Sequence, residues 1–293
     1  MNASADPLLT HRGRLLGLAY RMLGSRADAE DVLQDAWLRF SAVRDVRNAE
    51  AFLVTTVTRL CLDRLKSAHA RREIYIGPWL PEPVLDAEVL SPHAATELAD
   101  DLSFALMLAL ERLTPLERAA FLLHDVFDAP FAEVAATLER SEAACRQLAS
   151  RARRAVRETR PVPPAPPPQN ERLLAAFATA VGTGDVAALA ALLREDAIAL
   201  TDGGGRKLAA LNPIRGPDHI SRFFIGLMRK HARAGRPIEI ALAHINGASG
   251  LLIFLSGALD QTLSLAVEGD RIVAIYSVRN PEKLRRVLSE RKL

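Results

Sequence analysis

At 293 residues the chain is about twice the usual domain size, so two or three domains, each burying its own core, are expected. Hydrophobic residues make up 49% and charged residues 25%, an ordinary soluble balance that excludes a wholly disordered or collagen-like chain. The net charge of +3 is unevenly spread, with 21 Lys and Arg against 23 Asp and Glu up to residue 170 and 17 against 12 beyond it, so total charge does not by itself mark a nucleic-acid binder.

Near the N-terminus Arg12, Arg14 and Arg21 punctuate the only apolar stretch and no small-residue cleavage site follows, so no secretory signal is expected. Helical spacing then runs almost without pause: Val32, Leu33, Ala36, Trp37 and Phe40 form one stripe, and Leu53, Val57, Leu60, Cys61 and Leu65 another. The first of these helices carries an acidic cluster, Asp28, Glu30, Asp31 and Asp35; the second carries a basic one, Arg59, Arg64, Lys66, Arg71 and Arg72, opposed by Asp63. Charge balance within the chain is the plain explanation for such neighbours, and ligand contact the functional one. Gly77, Pro78, Pro81, Pro83 and Pro92 then break the helical pattern and divide the first half into two modules.

The second module opens on Thr114-Pro115-Leu116-Glu117, a Thr N-cap with Pro at the first helical position and Glu at the third. From Phe131 to Arg157 the layout is that of a helix-turn-helix. Phe131, Val134, Ala135 and Leu138 give an inward face, Glu139-Arg140-Ser141 the turn, and Ala144 onward a second helix presenting Arg146, Gln147, Ser150, Arg151, Arg153, Arg154 and Arg157. These side chains can bond base edges and phosphates in a major groove, whereas the plain alternative is a solvated helix rich in arginine.

Six of the eight residues from 161 to 168 are proline, a composition that favours stiff polyproline II and predicts a semi-rigid spacer. Beyond it, Leu173 to Val181, Val186 to Leu193 and Asp218 to Lys230 read as helices. Residues 238–242, 251–255, 262–267 and 271–278 read as strands parted by glycine turns, which together predict an α+β domain with an antiparallel meander. The longest apolar run, Val186 to Leu193, has eight residues, far short of the roughly 20 that span a bilayer. Cys61 and Cys145 lie far apart and read as reduced thiols, so neither a disulfide framework nor a metal site is expected.

These residues also carry a resemblance. The helix from Asp28 to Phe40 resembles the polymerase-clamp-binding helix of region 2 in bacterial extracytoplasmic-function sigma factors, which implies core RNA polymerase contacts for Asp28, Asp31, Leu33, Gln34, Asp35 and Trp37. The stretch from Ala51 to Arg64 resembles the helix that reads the −10 promoter element, implying DNA contacts for Arg59, Asp63, Arg64, Lys66, Arg71 and Arg72, with the loop from Arg44 to Asn48 near an unstacked base. Leu113 to Phe121, Phe131 to Ala135 and Ser141 to Arg154 resemble region 4, which reads the −35 element through the arginine-rich helix. The turn departs from the family, holding Glu139-Arg140 where a small residue or Gly is common.

Three further segments resemble signatures of the subgroup with a fused polyketide-cyclase-like (SnoaL-like) domain of the NTF2-like cone-shaped α+β barrel fold, shared with ketosteroid isomerases. They are Trp79, Leu80, Pro81, Glu82 and Pro83; Asp202, Gly203, Gly204, Gly205 and Arg206; and Asn280, Pro281, Glu282, Lys283 and Leu284. The resemblance implies that they form a regulatory docking surface. The expected plan is all-α region 2 over 1–74, a linker over 75–99, region 4 over 100–160, a spacer over 161–169 and the α+β domain over 170–293. Asp202, His219, His244 and Asp260 are the groups a catalytic cavity would use, yet no spacing among them fixes a dyad and Asp202 before three glycines suits a turn cap. The reading is a cytoplasmic transcription initiation factor that partners core polymerase and promoter DNA, without a cofactor, membrane segment or catalytic activity of its own. Its rival is a cyclase- or isomerase-like enzyme carrying a DNA-binding appendage.

Overall fold

The computed structural model describes residues 7–43, 45–73, 75–85, 102–159 and 161–290. The described residues form two compact units. One holds 7–43, 45–73, 102, 106–159 and 161, and the other holds 75–85, 103–105 and 162–290.

The first unit is helical. Helices α1 (Pro7–Leu23), α2 (Arg26–Ser41) and α3 (Ala49–Glu73) pack around Leu15, Leu16, Tyr20, Val32, Leu33, Leu53, Val57 and Cys61, all buried. Gly24, at φ 67, ends α1, and the Ser25 hydroxyl caps α2 by accepting from the Asp28 amide at 3.2 Å. Then come α4 (Phe104–Glu111), whose first two residues belong to the other unit, and α5 (Pro115–Phe121), which continues into a π-helical turn over Leu122–Val126. As the sequence predicts, Thr114 and Glu117 form a reciprocal capping box. Helices α6 (Phe131–Leu138) and α7 (Glu142–Thr159) follow, α7 burying Cys145, Leu148, Ala149, Ala152 and Val156.

The second unit is helix plus sheet. Helix α8 (Pro167–Thr183) starts inside the stretch expected to be spacer, because Pro167 and Pro168 occupy the first helical turn, where no amide donor is needed. Next are α9 (Val186–Leu192), β1 (Leu193–Asp202), β2 (Ile214–Arg215) and α10 (Pro217–Arg233). Strands β3 (Ile238–Ile245), β4 (Ala248–Leu255), β5 (Ala258–Glu268) and β6 (Arg271–Val278) and helix α11 (Pro281–Glu290) complete it.

The sheet order is β2-β1-β6-β5-β4-β3. The predicted antiparallel meander is therefore only part of the sheet: β1, which the sequence does not suggest, pairs in parallel with β6. One face is covered by Leu174, Phe177, Leu189, Ile220 and Phe224 against Leu251, Leu263 and Ile275. Residues 75–85, expected as linker, belong to this unit. Leu80 and Val84 are buried, Val84 and Asn246 exchange two hydrogen bonds of 3.0 and 2.8 Å, and the Phe104 ring stacks on Tyr276 at 5.4 Å.

Candidate nucleic-acid interface and linker clasp

The helix-turn-helix is built as its pattern predicts, with one difference in the turn. Glu139 takes the left-handed conformation at φ 54 that ends α6, a position where glycine is the unstrained choice, so the family's small residue is replaced at a steric cost. Ser141 then caps α7, its hydroxyl accepting from the Ala144 amide at 3.2 Å. Along α7, Arg146, Gln147, Ser150, Arg151, Arg154 and Arg157 are exposed and Arg153 is half-buried. Several are already paired: Arg146 with Glu142 at 2.6 Å while lying over the Phe131 ring, Arg151 with Glu117 at 2.8 Å, and Arg153 with Asp125 at 2.5 Å. Burial raises the Glu117 carboxyl, but the Thr114 bonds and the Arg151 charge outweigh it and hold it below the usual carboxylate range.

On α2 and α3 the acidic and basic clusters meet. Arg64 lies 3.4 Å from Asp28, 3.6 Å from Asp31 and 3.4 Å from Asp35, so the plain charge-balance reading describes this contact. Lys66 pairs with Asp63 at 2.8 Å. Arg59 reaches the helix-turn-helix, donating to the carbonyls of Thr137 and Ala136 and pairing with Glu139 at 3.0 Å. Asp31, Gln34 and Asp35 are exposed, and Trp37 stacks on Phe40. Leu33 is 4% exposed and belongs to the core, so it holds the helix in place and cannot itself be a contact surface, a correction to the expected polymerase set. Arg71 and Arg72 lie on α3 with side chains outside the described ones, as is all of Arg44. Exposed pairs of this kind contribute only about 0–1 kcal/mol, so phosphates or a partner's charges can displace them cheaply.

The third constellation centres on Asp202, fully buried at the end of β1. Its carboxylate accepts from four donors: Tyr75 Oη at 2.6 Å and the Gly204 amide at 3.0 Å on Oδ1, and the Leu80 amide at 2.9 Å and Lys283 Nζ at 2.7 Å on Oδ2. Asn280 donates to Tyr75 Oη at 3.0 Å and accepts from the Glu282 amide, starting α11. Lys283 also donates to the Leu80 carbonyl and sits 4.4 Å above the Trp79 ring centroid. Pro81, Glu82 and Pro83 are buried beside them, Arg206 pairs with Glu282 at 2.7 Å, and Pro281 opens α11. The second and third signature segments thus form one clasp on residues 75–84, which include the first. Burial and the neighbouring Asp202 carboxylate push the Tyr75 phenol up.

Gly204 is required here on two counts. Its φ is +59, and a Cβ would lie 2.3 Å from Asn280 Nδ2. Trp79→Ala and Gly204→Val are expected to weaken the clasp in the same direction, and the double variant little more than either alone, because both break one interface. Urea unfolding of the four proteins checks this, and strict additivity would contradict it.

The residues considered for catalysis are not brought together. Asp202 is in the clasp, His219 and His244 are exposed, and Asp260 pairs with Lys207 and Arg279, at 2.7 and 2.8 Å. Tyr75, Lys207, Arg279 and His231 are residues that the sequence reading missed. Tyr75 stood just ahead of the recognised segment, and His231 is one of several polar residues on an amphipathic helix.

Comparison with known proteins agrees with this anatomy. Residues 8–71 match Sigma-70 region 2 and residues 103–156 match Sigma-70 region 4. The chain is 39% identical over 282 residues to the ECF RNA polymerase sigma factor SigJ of Mycobacterium tuberculosis, covering 93% of this chain and 90% of that protein. It is 33% identical over 281 residues to a probable ECF RNA polymerase sigma factor, SigI, of the same species, covering 94% and 92%. The crystal structure of M. tuberculosis SigJ superimposes with a TM-score of 0.74 at 35% identity over 94% of this chain and 96% of that one, so helical regions 2 and 4 followed by a helix-plus-sheet domain is the architecture of both. Regions 2 and 4 in order, with relatives this similar along nearly the whole length, place the chain in the extracytoplasmic-function family of RNA polymerase sigma factors.

Proposed function

We propose that the protein works in the cytoplasm as a non-enzymatic initiation factor whose promoter output is set in cis by the clasp on residues 75–84. As a sigma factor it binds core RNA polymerase and directs initiation at promoter DNA. The observation that carries the cis reading is the buried Asp202 carboxylate: four donors converge on it, two of them from Tyr75 and Leu80, in the segment that follows α3 in the chain. The segment joining region 2 to region 4 is thereby tied to the C-terminal unit. The test is in vitro transcription with core polymerase, comparing the full chain with one ending at Pro168. Absence of promoter-specific transcripts from both would overturn the sigma assignment, and identical transcription from both would overturn cis control.

In this reading Arg146, Gln147 and Arg151 reach base edges of the −35 element, while Arg153, Arg154 and Arg157 position the phosphates. Arg146→Ala is expected to cost about 1–3 kcal/mol of binding and relax preference at one base pair, whereas Arg157→Ala weakens all sequences alike and flattens the salt slope. Binding to a panel of single-base promoter variants separates the two. For the polymerase, Asp31→Lys with Asp35→Lys is expected to cut holoenzyme formation while moving stability by only about 0.5 kcal/mol, since both side chains are exposed. Wild-type affinity for core polymerase in that double variant would remove the acidic face from the interface.

A further inference from the structure

The arginine-rich helix α7 packs on α5 and the π-helical turn that continues it, and carboxylates from that support hold both of its flanks. Arg151 donates through Nε to Glu117 Oε1 at 2.8 Å, and Arg153 donates through Nε to Asp125 Oδ1 at 2.5 Å. The two arginines are two residues apart, about 200° of helical rotation, so they stand on opposite sides of the buried stripe of Cys145, Leu148, Ala149, Ala152 and Val156. Eight residues separate the two carboxylates, about 12 Å along a helix, which is the width of one helix with its side chains. The ion pairs therefore grip α7 from both sides and fix its rotation about its own axis.

Glu117 and Asp125 differ from ordinary surface partners. Their side chains are only 16% and 17% exposed, and Asp125 Oδ2 is buried with no hydrogen-bond partner among the described residues, so Arg153 is the charge that compensates this carboxylate. Asp125 owes its place to the π-helical turn over Leu122–Val126, in which the Phe127 amide donates to the Leu122 carbonyl five residues back at 2.9 Å; single π-helical turns recur at functional sites. The same turn carries His124, whose ring stacks on Phe131 at 3.9 Å, and the Arg146 guanidinium lies 5.2 Å over that Phe131 ring. A carboxylate near phosphate groups opposes DNA binding, so two of them under a promoter-reading helix call for an explanation in what they do to the arginines. The bond geometry supplies it. A guanidinium held at Nε leaves its Nη edge to another acceptor, and Arg151 and Arg153 are both held by that nitrogen; the Nη edge can bond a guanine or a phosphate through two donors.

We propose that Glu117 and Asp125 are positioning residues for promoter recognition: each holds one arginine of α7 by Nε and aims its Nη edge at the DNA, Glu117 aiming Arg151 at a base pair of the −35 element and Asp125 aiming Arg153 at a backbone phosphate. An arginine ordered in advance loses less side-chain freedom on binding than a free one, so the pairs favour the one arrangement of α7 that fits its promoter. Sequence preference is then set in part by residues that never touch DNA. The inference rests on reading α7 as the helix that contacts the −35 element.

Charge alone predicts the opposite outcome, since neutralising a carboxylate beside DNA should tighten binding to every sequence. Holoenzyme assembled from the full chain and core RNA polymerase is mixed with a library of random-sequence DNA duplexes, the bound fragments are sequenced, and affinity for the most enriched duplex is followed against salt. Glu117→Gln, which keeps the Thr114 capping box, is expected to lower preference about tenfold at the same −35 base pair that Arg151→Ala affects. In an Arg151→Ala background Glu117→Gln should add nothing, whereas a folding defect would persist there. Asp125→Asn should leave base preferences intact, weaken binding and reduce the salt slope by about 0.9, the value of one phosphate contact, as Arg153→Ala does. Tighter binding with unchanged preferences in either carboxylate variant, or a full Glu117→Gln effect in the Arg151→Ala background, would overturn the positioning role. Unchanged preferences in Arg151→Ala itself would instead remove this arginine from the −35 bases, and the proposal with it.

Discussion

Asp202→Ala is expected to cost the C-terminal unit about 3–5 kcal/mol and to release residues 75–84, the largest effect of any single change in the clasp. The size follows from what the substitution leaves behind. Lys283, its side chain 14% exposed, loses a carboxylate at 2.7 Å, and the Leu80 and Gly204 amides and the Tyr75 hydroxyl lose an acceptor that is itself fully buried. The cost of removing a buried acceptor lies mostly in the donors that lose it, and here four lose the same one at once. Asp202→Asn is expected to do less harm, because its remaining oxygen still accepts from one side of the clasp. The measurement is urea unfolding of the full chain in a Trp37→Phe background, where emission reports Trp79 alone, the chain having two tryptophans. Since Lys283 lies over the Trp79 ring, release of the clasp should also shift the emission before global unfolding. An unfolding midpoint and emission spectrum equal to the parent's would remove Asp202 from the centre of the clasp.

What could be read from the sequence depended on how local the governing physics is. Helices α2, α3, α6 and α7 announce themselves because their apolar stripes repeat at helical spacing within one segment, and the Thr114–Glu117 box is a four-residue signal. Strand β1 is different. Arg194, Glu195 and Asp196 break its alternation at the start, its register slips between Leu193 and Ile198, and its principal partner, β6, lies more than 70 residues downstream. The clasp was legible as three segments, through their resemblance to a known subgroup, but not as a carboxylate with four donors, since Tyr75 and Asp202 are 127 residues apart. For the same reason His219 and His244 stood out as candidates although both are exposed, whereas His231 is 9% exposed. Nothing in helical periodicity separates a buried histidine from one in solvent. The bulge at Asp260, where the β4–β5 register passes from Ile253 opposite Gln261 to Phe254 opposite Leu259, is a property of strand pairing and has no local mark at all.

Arg118→Ala is expected to destabilise the helical unit by about 3–5 kcal/mol, and the argument differs from that for Asp202 because here the buried charge is a cation. Arg118 is 3% exposed on α5, and its guanidinium donates to the Met22 carbonyl at the end of α1 at 2.6 Å and to Glu111 at 2.7 Å. Burial lowers its pKa to about 10, the mark of a charge held where solvent is excluded. One side chain thus ties the first helix of region 2 to the helix on which α7 packs. Truncation would take the buried guanidinium away from Glu111, only 13% exposed, and open a cavity where the long side chain lay. Removing both charges with good packing is a milder change, so Arg118→Met with Glu111→Leu is expected to recover most of the loss. Hydrogen exchange at the amides of α1 and α5 should accelerate by about a hundredfold or more in Arg118→Ala, since each 1.4 kcal/mol is a factor of ten, and by far less in the double variant. Equal acceleration in both would mean that the bond to Met22, rather than the ion pair, carries the stability, and wild-type exchange in Arg118→Ala would mean that regions 2 and 4 are held together by apolar packing and the Arg59 contacts without it.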